Sequence, residues 1–513
     1  LDATWSLEAV GAVAQGDAQI GFPHEVRKRV AQSRAWVEGL LAQGESEGPV
    51  YGINTGFGAL AERQVAPNEL RALQRNLIRS HAAGVGTPFS TPVVRAMMAL
   101  RAKALALGYS GVRPEIIDLL LAMLDRGVHP IIPSQGSVGA SGDLAPLAHL
   151  ALVLIGEGEA EYDGKVRSGG EALREAGLLP IELEAKEGLA LINGTQAILA
   201  CGALAVLEGE NLCAHADLIG AMSLEGAMGS HRPFDHRIHA LRPHPGQMRS
   251  AKAIRGYLEG SEIAESHKNC GRVQDPYSLR CMPQVHGASH DVLAWVRGVL
   301  EREINSVTDN PLVFVEDGEV LSGGNFHGQP LAIALDCASI AIAELASISE
   351  RRIELLLNPA WNANLPAFLS VRPGLESGLM MAQVTAAALV SENKTLAHPA
   401  SVDSIPTSAG KEDHVSMGLW AARKCAQIVE RTRKVLAIEA VVAAQALDFR
   451  HPLRPGRGVE LAHRALREHI QFFSEDRPLA PAIARAEEMI ARGELLSAAQ
   501  KGRRDHEPNC PNF

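Results

Sequence analysis

The second half of the chain is dominated by apolar residues that recur at helical spacing. One stripe repeats at three- and four-residue steps until the pair Asn310-Pro311, and its members are Val285, Ala288, Val292, Val296 and Val299. Segments 331–357 and 419–447 continue the pattern, and the first is so uniformly aliphatic that we expect burial on several sides. Only 4% of the residues are aromatic although 46% are hydrophobic, so helix-forming aliphatic residues prevail. The sequence therefore predicts a mostly α protein with a long-helix bundle.

The first part of the chain has a different pattern. Turn-rich segments at 51–58 and 133–139 separate shorter helical patterns. Short strands are few, and the best candidate lies at 160–166, where Tyr162-Asp163-Gly164-Lys165 has the signature of a hairpin turn. We predict a globular domain over residues 1–205 and a central helical bundle with C-terminal helices over residues 206–513.

Charge and cysteine usage limit the possible partners and compartments. The formal net charge is -10 and no basic block occurs, which argues against nucleic acid and against a polybasic membrane anchor. The longest uncharged stretch, 188–207, contains polar residues near its middle, so we expect a buried helix and no membrane span. No signal-peptide pattern is visible, and the sequence alone does not exclude a leader that has been removed. Seven cysteines without paired spacing favour reduced thiols and a cytoplasmic protein: Cys201, Cys213, Cys270, Cys281, Cys337, Cys425 and Cys510.

The most informative segment is the glycine-rich loop 136–147, Gly-Ser-Val-Gly-Ala-Ser-Gly-Asp-Leu-Ala-Pro-Leu. Its glycines and small residues permit backbone conformations and close approaches that larger side chains would forbid. From the residues alone, it is a flexible turn before a helix that starts near Asp143, a good N-cap. A phosphate cradle is the weaker alternative, because neither the GxGxxG nor the GxxxxGK spacing is present.

The loop also resembles, residue for residue, that of the aromatic amino acid ammonia-lyase family. In that family Ala-Ser-Gly cyclises to 4-methylideneimidazol-5-one, and the resemblance runs from about Tyr51 to Phe449 in the expected order. It implies that the Gly142 nitrogen attacks the Ala140 carbonyl and that Ser141 loses water, giving an electrophile without an external cofactor. Such a group is needed because ammonia is a poor leaving group.

The resemblance implies roles for two further residues near the electrophile. Tyr51, in Tyr-Gly-Ile-Asn-Thr-Gly-Phe-Gly, matches the proposed catalytic base, which requires a lowered phenol pKa; without the family it would be a packed core tyrosine. Asn193, in Asn-Gly-Thr-Gln, matches the residue that hydrogen-bonds the electrophile. Its alternative, a glycosylation sequon, is weaker because the surroundings are apolar.

Substrate-binding residues follow from the same comparison. In the segment 274–280, Gln274 and Arg280 match substrate-binding positions and Tyr277 lies beside the electrophile. Arg280 would hold the substrate carboxylate by a two-point contact. Phe326 corresponds to an aromatic wall of the site. From the residues alone, a solvated arginine and a packed phenylalanine are the alternatives.

Two features within the family favour histidine as substrate. Ser80-His81 occupies the selectivity position, and Glu412 is the acidic residue of the histidine-specific subgroup. A histidine and a carboxylate suit an imidazole, which both donates and accepts hydrogen bonds. We therefore expect deamination of L-histidine to trans-urocanate and ammonia, the first step of histidine degradation, with Glu412 both binding substrate and taking part in catalysis. Gly410-Lys411 stands where Asn-Gln commonly precedes this glutamate in the family. The sequence alone does not decide how the Lys411 charge affects Glu412 and substrate preference.

Rival functions and assembly complete the prediction. A tyrosine or phenylalanine ammonia-lyase, or a 2,3-aminomutase, would use the same fold, and a helical binding protein with a decayed site is the alternative of another class. The resemblance implies a homotetramer whose active sites combine residues of several subunits. No metal is expected, because these histidines and the cysteine lack the spacing of a metal site: His231, His236, His239, His244, His267 and Cys270.

Overall fold

The computed structural model describes residues 1–43, 49–268 and 271–504. About 60% of the chain is helical and 6% is in strands, so the predicted mostly α fold is confirmed. Of the cysteines, Cys270 and Cys510 lie outside the described residues.

The helices and strands follow one another in this order. The helices before residue 230 are α1 (Leu7–Gln15), α2 (His24–Ala42), α3 (Leu70–His81), α4 (Thr91–Ala106), α5 (Pro114–Arg126), α6 (Leu144–Leu154), α7 (Gly169–Glu175), α8 (Glu187–Ile192) and α9 (Gln196–Gly226). The later helices are α10 (His236–Ala240), α11 (Pro245–Tyr257), α12 (Glu262–Ser266), α13 (Tyr277–Arg280), α14 (Met282–Ile304), α15 (Gln329–Leu357), α16 (Met380–Leu396), α17 (Gly418–Asp448), α18 (Arg457–Arg467), α19 (Ala480–Ala491) and α20 (Glu494–Arg504). The strands are β1 (Val85–Pro88), β2 (His129–Pro130), β3 (Pro133–Gln135), β4 (Glu159–Tyr162), β5 (Lys165–Ser168), β6 (Leu312–Phe314) and β7 (Glu319–Leu321).

The described residues fall into two compact units. The first comprises residues 1–207, 297–336 and 399–423, and the second comprises 208–296, 337–398 and the chain from 424 onward. The first break lies close to the predicted boundary at 205, but two later segments belong to the first unit because the chain returns to it. The division into two consecutive domains stays a prediction.

All the strands of the described residues lie in the first unit, in small antiparallel sheets. Strand β1 pairs with β3, β6 pairs with β7, and β4 lies between β2 and β5. The predicted hairpin at 160–166 is confirmed, since Asp163 and Gly164 have φ angles of 50° and 69° between β4 and β5. Two successive positive φ angles are what a two-residue hairpin turn requires.

The buried face of α14 differs from the predicted one. Of the predicted valine and alanine stripe only Val296 is fully buried, and Ala288 is exposed. The buried face instead carries His286 and His290, whose ring nitrogens lie 2.9 and 3.3 Å from the carboxylate of buried Asp217 on α9. Apolar periodicity misses this face, because these polar residues can be buried only through a partner on another helix. The predicted core stripe is therefore wrong at Ala288, whereas Val285, Val292 and Val299 are partly buried.

Helices α15 and α17 confirm the predicted apolar runs, and a buried ion pair joins them. The Arg352 guanidinium on α15 donates to both carboxylate oxygens of Glu439 on α17, at 2.5 and 2.8 Å, and both side chains are fully buried. The hydroxyls of Ser223 and Ser349 each donate to the same carboxylate at 2.6 Å. A buried charge pair with this many hydrogen bonds fixes how the helices of the second unit pack.

Two helices, α9 and α15, are long and apolar enough to cross a membrane by length and composition. In each, 67% of the most apolar 18-residue window is buried inside the protein. Core helices of soluble proteins pass the same test.

We predict that Arg352→Met lowers the free energy of unfolding by about 3–5 kcal/mol, because it leaves the buried Glu439 charge uncompensated. The control is Arg351→Met, the next residue, whose ion pair with Glu350 is more than half exposed on the arginine side and should be worth less than about 1 kcal/mol. Urea unfolding followed by circular dichroism compares the two variants. Equal midpoints would show that the buried pair does not hold the helices together.

Candidate active site

The glycine-rich loop 136–147, which we call the electrophile loop after the group that the resemblance implies, packs directly against the junction between α8 and α9. The backbone nitrogen of Asp143 donates to the Gly194 carbonyl at 2.7 Å, and Gly142, with φ of 72°, lies alongside Gly194. A Cβ on Gly142 would overlap the Gly194 backbone. Ala140 is only 4% exposed. Glycine is thus required at position 142 for two backbone segments to touch.

Asp143 has a different partner from the one predicted. Helix α6 begins at Leu144 as expected, but the Asp143 side chain does not cap it. Its carboxylate accepts hydrogen bonds from the Ile198 backbone nitrogen at 2.8 Å and from the Ser137 hydroxyl at 2.9 Å, so it caps α9 instead. Burial raises the pKa of Asp143 to about 7 despite these hydrogen bonds. An N-cap pattern in sequence cannot show that a second helix begins closer in space.

Two other segments of the first unit are bound to the electrophile loop at Gly139. The Ser416 hydroxyl donates to the Gly139 carbonyl at 2.9 Å, and the Gly328 nitrogen donates to the same oxygen at 3.1 Å. The segments that carry Phe326 and Glu412 are therefore both held beside the loop, although both are distant from it in the sequence.

The centre of the site is Ser141, which is bonded on both sides. Its hydroxyl donates to Oε1 of Glu412 at 2.6 Å, and its carbonyl oxygen accepts a hydrogen bond from Nδ2 of Asn193 at 2.9 Å. The other Glu412 oxygen accepts from the hydroxyls of Thr407 and Ser408, at 2.5 and 3.0 Å. The structure thus brings together three residues that the resemblance singled out, with an acceptor at one oxygen of Ser141 and a donor at the other.

The contacts of Glu412 decide its charge. Burial raises the pKa of this carboxyl, but hydrogen bonds from Ser141, Thr407 and Ser408 outweigh it, and the net pKa lies below the ordinary value. Glu412 is therefore ionised at neutral pH. Lys411, which stands where the family commonly has Gln, is exposed. The Glu412 carboxylate is held by hydroxyl groups.

The last turn of α3 presents His81 as a hydrogen-bond acceptor. Its Nδ1 lies 2.9 Å from the Leu77 carbonyl, which can only accept, so Nδ1 carries the proton and Nε2 the lone pair. Burial lowers the pKa of His81, although the nearby charge of Glu412 opposes the shift. The Ser80 hydroxyl lies 3.1 Å from the same carbonyl and donates to it. His81 is thus a neutral ring with a fixed tautomer.

Tyr51 lies in the first unit, in a loop fixed by a close contact. Gly52, with φ of 74°, would place a Cβ 2.7 Å from the Leu189 side chain and 2.8 Å from that of Pro311. Burial raises the pKa of the Tyr51 phenol, and the negative charge of Glu412 raises it further. The lowered pKa that the base role requires is therefore not present in the single chain, because the charge that acts on Tyr51 is negative.

The remaining predicted residues are placed differently. Phe326 is half-buried in the first unit, two residues before Gly328. Gln274, Tyr277 and Arg280 belong to the second unit. There the Arg280 guanidinium lies 4.6 Å from the Tyr277 ring centroid and donates to the Asp275 carbonyl at 3.0 Å, while the Tyr277 side chain is 71% exposed.

The loop geometry suits the five-membered ring that the resemblance implies. Ring closure needs a small side chain at position 140 and none at position 142. Ala140 and Gly142 meet both conditions, and Gly142 packs against Gly194 with no room for a Cβ. The ring would keep the Ser141 carbonyl, the oxygen that Asn193 already contacts.

Within the described residues, no group of three histidine, cysteine or acidic side chains is placed to hold a metal ion. Among the histidines considered from the sequence, His231 is bonded to Glu225 at 2.7 Å and His239 to the Pro233 carbonyl at 3.0 Å. Cys270 lies outside the described residues.

Comparison with known proteins decides the family. The family model of aromatic amino acid lyases matches residues 5–468. The chain belongs to the aromatic amino acid lyase family. The predicted family and the predicted class of enzyme, a carbon–nitrogen lyase that releases ammonia, are confirmed.

Three relatives within the aromatic amino acid lyase family differ in their sequence identity to this chain, and the two with solved structures have nearly the same TM-score. A histidine ammonia-lyase of Sorangium cellulosum is 58% identical over 501 residues, covering 97% of this chain and 98% of that protein. The crystal structure of histidine ammonia-lyase from Trypanosoma cruzi has 43% identity and a TM-score of 0.90, covering 97% and 94%. The crystal structure of tyrosine aminomutase from Streptomyces globisporus has 38% identity and a TM-score of 0.91, and the match covers 99% of this chain and 98% of that one. The fold is shared by enzymes of different reactions, so side chains of the site must distinguish them.

We predict that the mature peptide containing Ser141 weighs two water molecules less than its sequence mass, because cyclisation and dehydration each remove one. Ser141→Ala should lose one water at most, and should abolish turnover with the helical signal unchanged. Peptide mass spectrometry measures this. The peptide containing Ser377-Gly378 is the internal control, since this pair lies in another loop and should keep its sequence mass. A Ser141 peptide of full sequence mass in active enzyme would contradict a self-made electrophile.

Proposed function

We propose that the chain deaminates L-histidine to trans-urocanate and ammonia, using 4-methylideneimidazol-5-one formed from Ala140, Ser141 and Gly142. The observation that carries the proposal is that ionised Glu412 lies against the side chain of Ser141, the residue that would form the electrophile, and near enough to His81 for its charge to act on the pKa of that ring. High identity to proteins named histidine ammonia-lyase supports the same substrate.

Recognition of the imidazole ring follows from two hydrogen-bond acceptors. The His81 Nε2 and the Glu412 carboxylate both accept hydrogen bonds. An imidazolium ring has two N–H groups and can donate to both, whereas a neutral imidazole ring has one N–H and can donate to one of them. The ring of phenylalanine has no donor, so the His81 Nε2 and the Glu412 oxygen nearest the substrate would receive no hydrogen bond from it. A site of this kind rejects the unmatched substrate by roughly 10⁴-fold, whereas an apolar pocket discriminates weakly.

Asn193 stabilises the charge that develops during the reaction. The methylideneimidazolone supplies an electrophilic methylene at the former Cβ of Ser141. The Asn193 amide donates to the Ser141 carbonyl oxygen at 2.9 Å and would stabilise negative charge there, whether the substrate reacts through its amine or through its imidazole ring. A donor fixed in advance at such an oxygen typically contributes 10²–10³-fold, roughly, to the rate.

Removal of the β-proton is assigned to Tyr51. Because burial and Glu412 raise its pKa, a positive charge has to approach before the phenol can lose its proton near neutral pH. The substrate ammonium group and Arg280 are the cations that the proposed site offers. Tyr277 is the next candidate for this proton transfer.

We propose further that the enzyme is a cytoplasmic homotetramer with active sites shared between subunits. Gln274, Tyr277 and Arg280 would then come from a different subunit than Ser141. The exposure of Val273, at 95%, and of Tyr277, at 71%, supports an interface at this segment, because apolar and aromatic side chains favour burial.

The alternative on the same fold, a tyrosine or phenylalanine ammonia-lyase or a 2,3-aminomutase, is not favoured: the tyrosine aminomutase from Streptomyces globisporus is 38% identical to this chain, against 58% for the histidine ammonia-lyase of Sorangium cellulosum. Incubation with histidine, phenylalanine and tyrosine separately distinguishes the two, with ammonia and the ultraviolet absorbance of each unsaturated acid as readouts. We expect urocanate from histidine alone. A β-amino acid from tyrosine would replace the proposed function with the alternative.

We predict that Glu412→Gln lowers kcat/KM for histidine by about 10²-fold or more, because the amide is a weaker acceptor and carries no charge. His81→Leu should narrow the gap between histidine and the aromatic substrates. Asp413→Asn is the matched control, an exposed acid next in the chain that should leave kcat/KM within about twofold. Unchanged substrate preference in both variants would contradict the assignment of the imidazole site.

The pKa of His81 predicts how activity depends on pH. Because burial lowers this pKa, His81 stays neutral and able to accept a hydrogen bond below the ordinary histidine pKa of about 6.5. The Glu412 charge raises the His81 pKa, so Glu412→Gln should move the acid limb of kcat/KM to lower pH. Comparing the two enzymes on the same substrate cancels the titration of histidine itself. A limb that moves to higher pH would contradict the arrangement.

A further inference from the structure

The short helix α8 places the residue that contacts the electrophile, and it cannot do so alone. Helix α8 has six residues and ends immediately before Asn193, and a helix of this length has little stability of its own. Its start is held by Lys186, whose φ is 76° and whose Nζ lies 2.8 Å from the Asp309 carboxylate with both side chains fully buried. Buried polar contacts therefore set the position of α8.

The end of α8 is held by a buried arginine on α4. Nη1 of Arg101 donates to the Asn193 carbonyl at 3.1 Å and to Oε1 of Gln196 at 2.9 Å, with the Thr308 carbonyl at 3.4 Å. The Arg101 side chain is fully buried. A Cβ on Gly194 would overlap Nη1, so the glycine of Asn-Gly-Thr-Gln is needed for the guanidinium to reach this junction.

Packing alone does not account for an arginine at this position. Nε and Nη2 of Arg101 are buried and have no hydrogen-bond partner among the described residues. Leaving two donors of a buried charge unpaired is costly. Burial lowers the pKa of Arg101 to about 10, so the group still carries its positive charge at neutral pH.

We propose that Arg101 is a positioning residue for the reaction. It holds the Asn193 carbonyl, so that the Asn193 side-chain amide stays on the Ser141 carbonyl oxygen where negative charge develops. Arg101 acts through Asn193, and its contacts with Gln196 and Thr308 fix the guanidinium itself. This inference rests on the role of Asn193 in the proposed function.

A double-mutant cycle tests the proposal with Arg101→Lys, Asn193→Ala and the two combined. Lysine keeps the charge but replaces the planar guanidinium by a point donor. We expect Arg101→Lys to lower kcat for histidine by about 10–100-fold with KM within about threefold. In the Asn193→Ala background the same substitution should change kcat less than about twofold, because the group it positions is gone.

A second readout does not depend on the natural substrate. Borohydride delivers hydride to the methylene carbon and a proton completes the reduction, so the Ser141 peptide gains two hydrogens. We expect the rate of this gain to fall in Arg101→Lys and to be insensitive to Arg101→Lys in the Asn193→Ala background. If wild-type enzyme does not deaminate histidine, the proposed function fails while the borohydride cycle still tests Arg101.

The matched control is Arg95→Lys, on the same helix. Arg95 donates to the backbone carbonyls of Val13 and Leu124, at 3.1 and 3.2 Å, and these carbonyls lie outside the site. It should leave kcat and the borohydride rate unchanged. If Arg101→Lys does not fold, Gln196→Met removes the acceptor at Nη1 while keeping the arginine, and should lower kcat only when Asn193 is present.

Two results would overturn the proposal. One is an equal loss of kcat in both backgrounds, which would make Arg101 independent of Asn193. The other is a Ser141 peptide of full sequence mass in Arg101→Lys, which would place the arginine in loop maturation and not in positioning the amide.

Discussion

The backbone contact between Gly142 and Gly194 is the constraint on which the site depends. It exists because Gly142 has no Cβ, which would overlap the Gly194 backbone, and it sets the electrophile loop against the start of α9. The Asn193 amide then meets the Ser141 carbonyl as a consequence of chain geometry. Asp143 adds a second link between the loop and α9, because its carboxylate caps α9 and not its own helix.

The sequence predicted the fold where one pattern was sufficient. Long aliphatic runs gave α15 and α17, and a turn signature gave the hairpin between β4 and β5. The prediction failed on α14, whose buried face carries His286 and His290. These side chains can be buried because the Asp217 carboxylate on another helix forms hydrogen bonds with both rings. Such pairing between distant segments leaves no periodic pattern of apolar residues in the sequence.

The site was predicted to a similar extent and for a similar reason. Motifs single out Ser141, Asn193 and Glu412, and the structure brings all three together. Arg101 was missed, since a lone arginine in an apolar helix carries no motif and its role arises from carbonyl groups about a hundred and two hundred residues further along the chain. The pKa of Tyr51 could not be predicted either: burial and then the charge of Glu412 raise the pKa of the phenol, and Glu412 is distant in sequence.

The two contacts of Ser141 also give the site a direction. Glu412 lies at the side-chain end of Ser141, where it accepts from the hydroxyl until dehydration removes that group, and Asn193 donates at the carbonyl end, which the ring would keep. An ionised carboxylate favours groups that bring protons or positive charge, such as an imidazole N–H or an ammonium. The amide donor, backed by the charge of Arg101, favours electron density at the Ser141 oxygen. In the proposed reaction, substrate binding would be directed to one end of this residue and electron flow to the other, so a single loop would both capture the substrate and receive the charge.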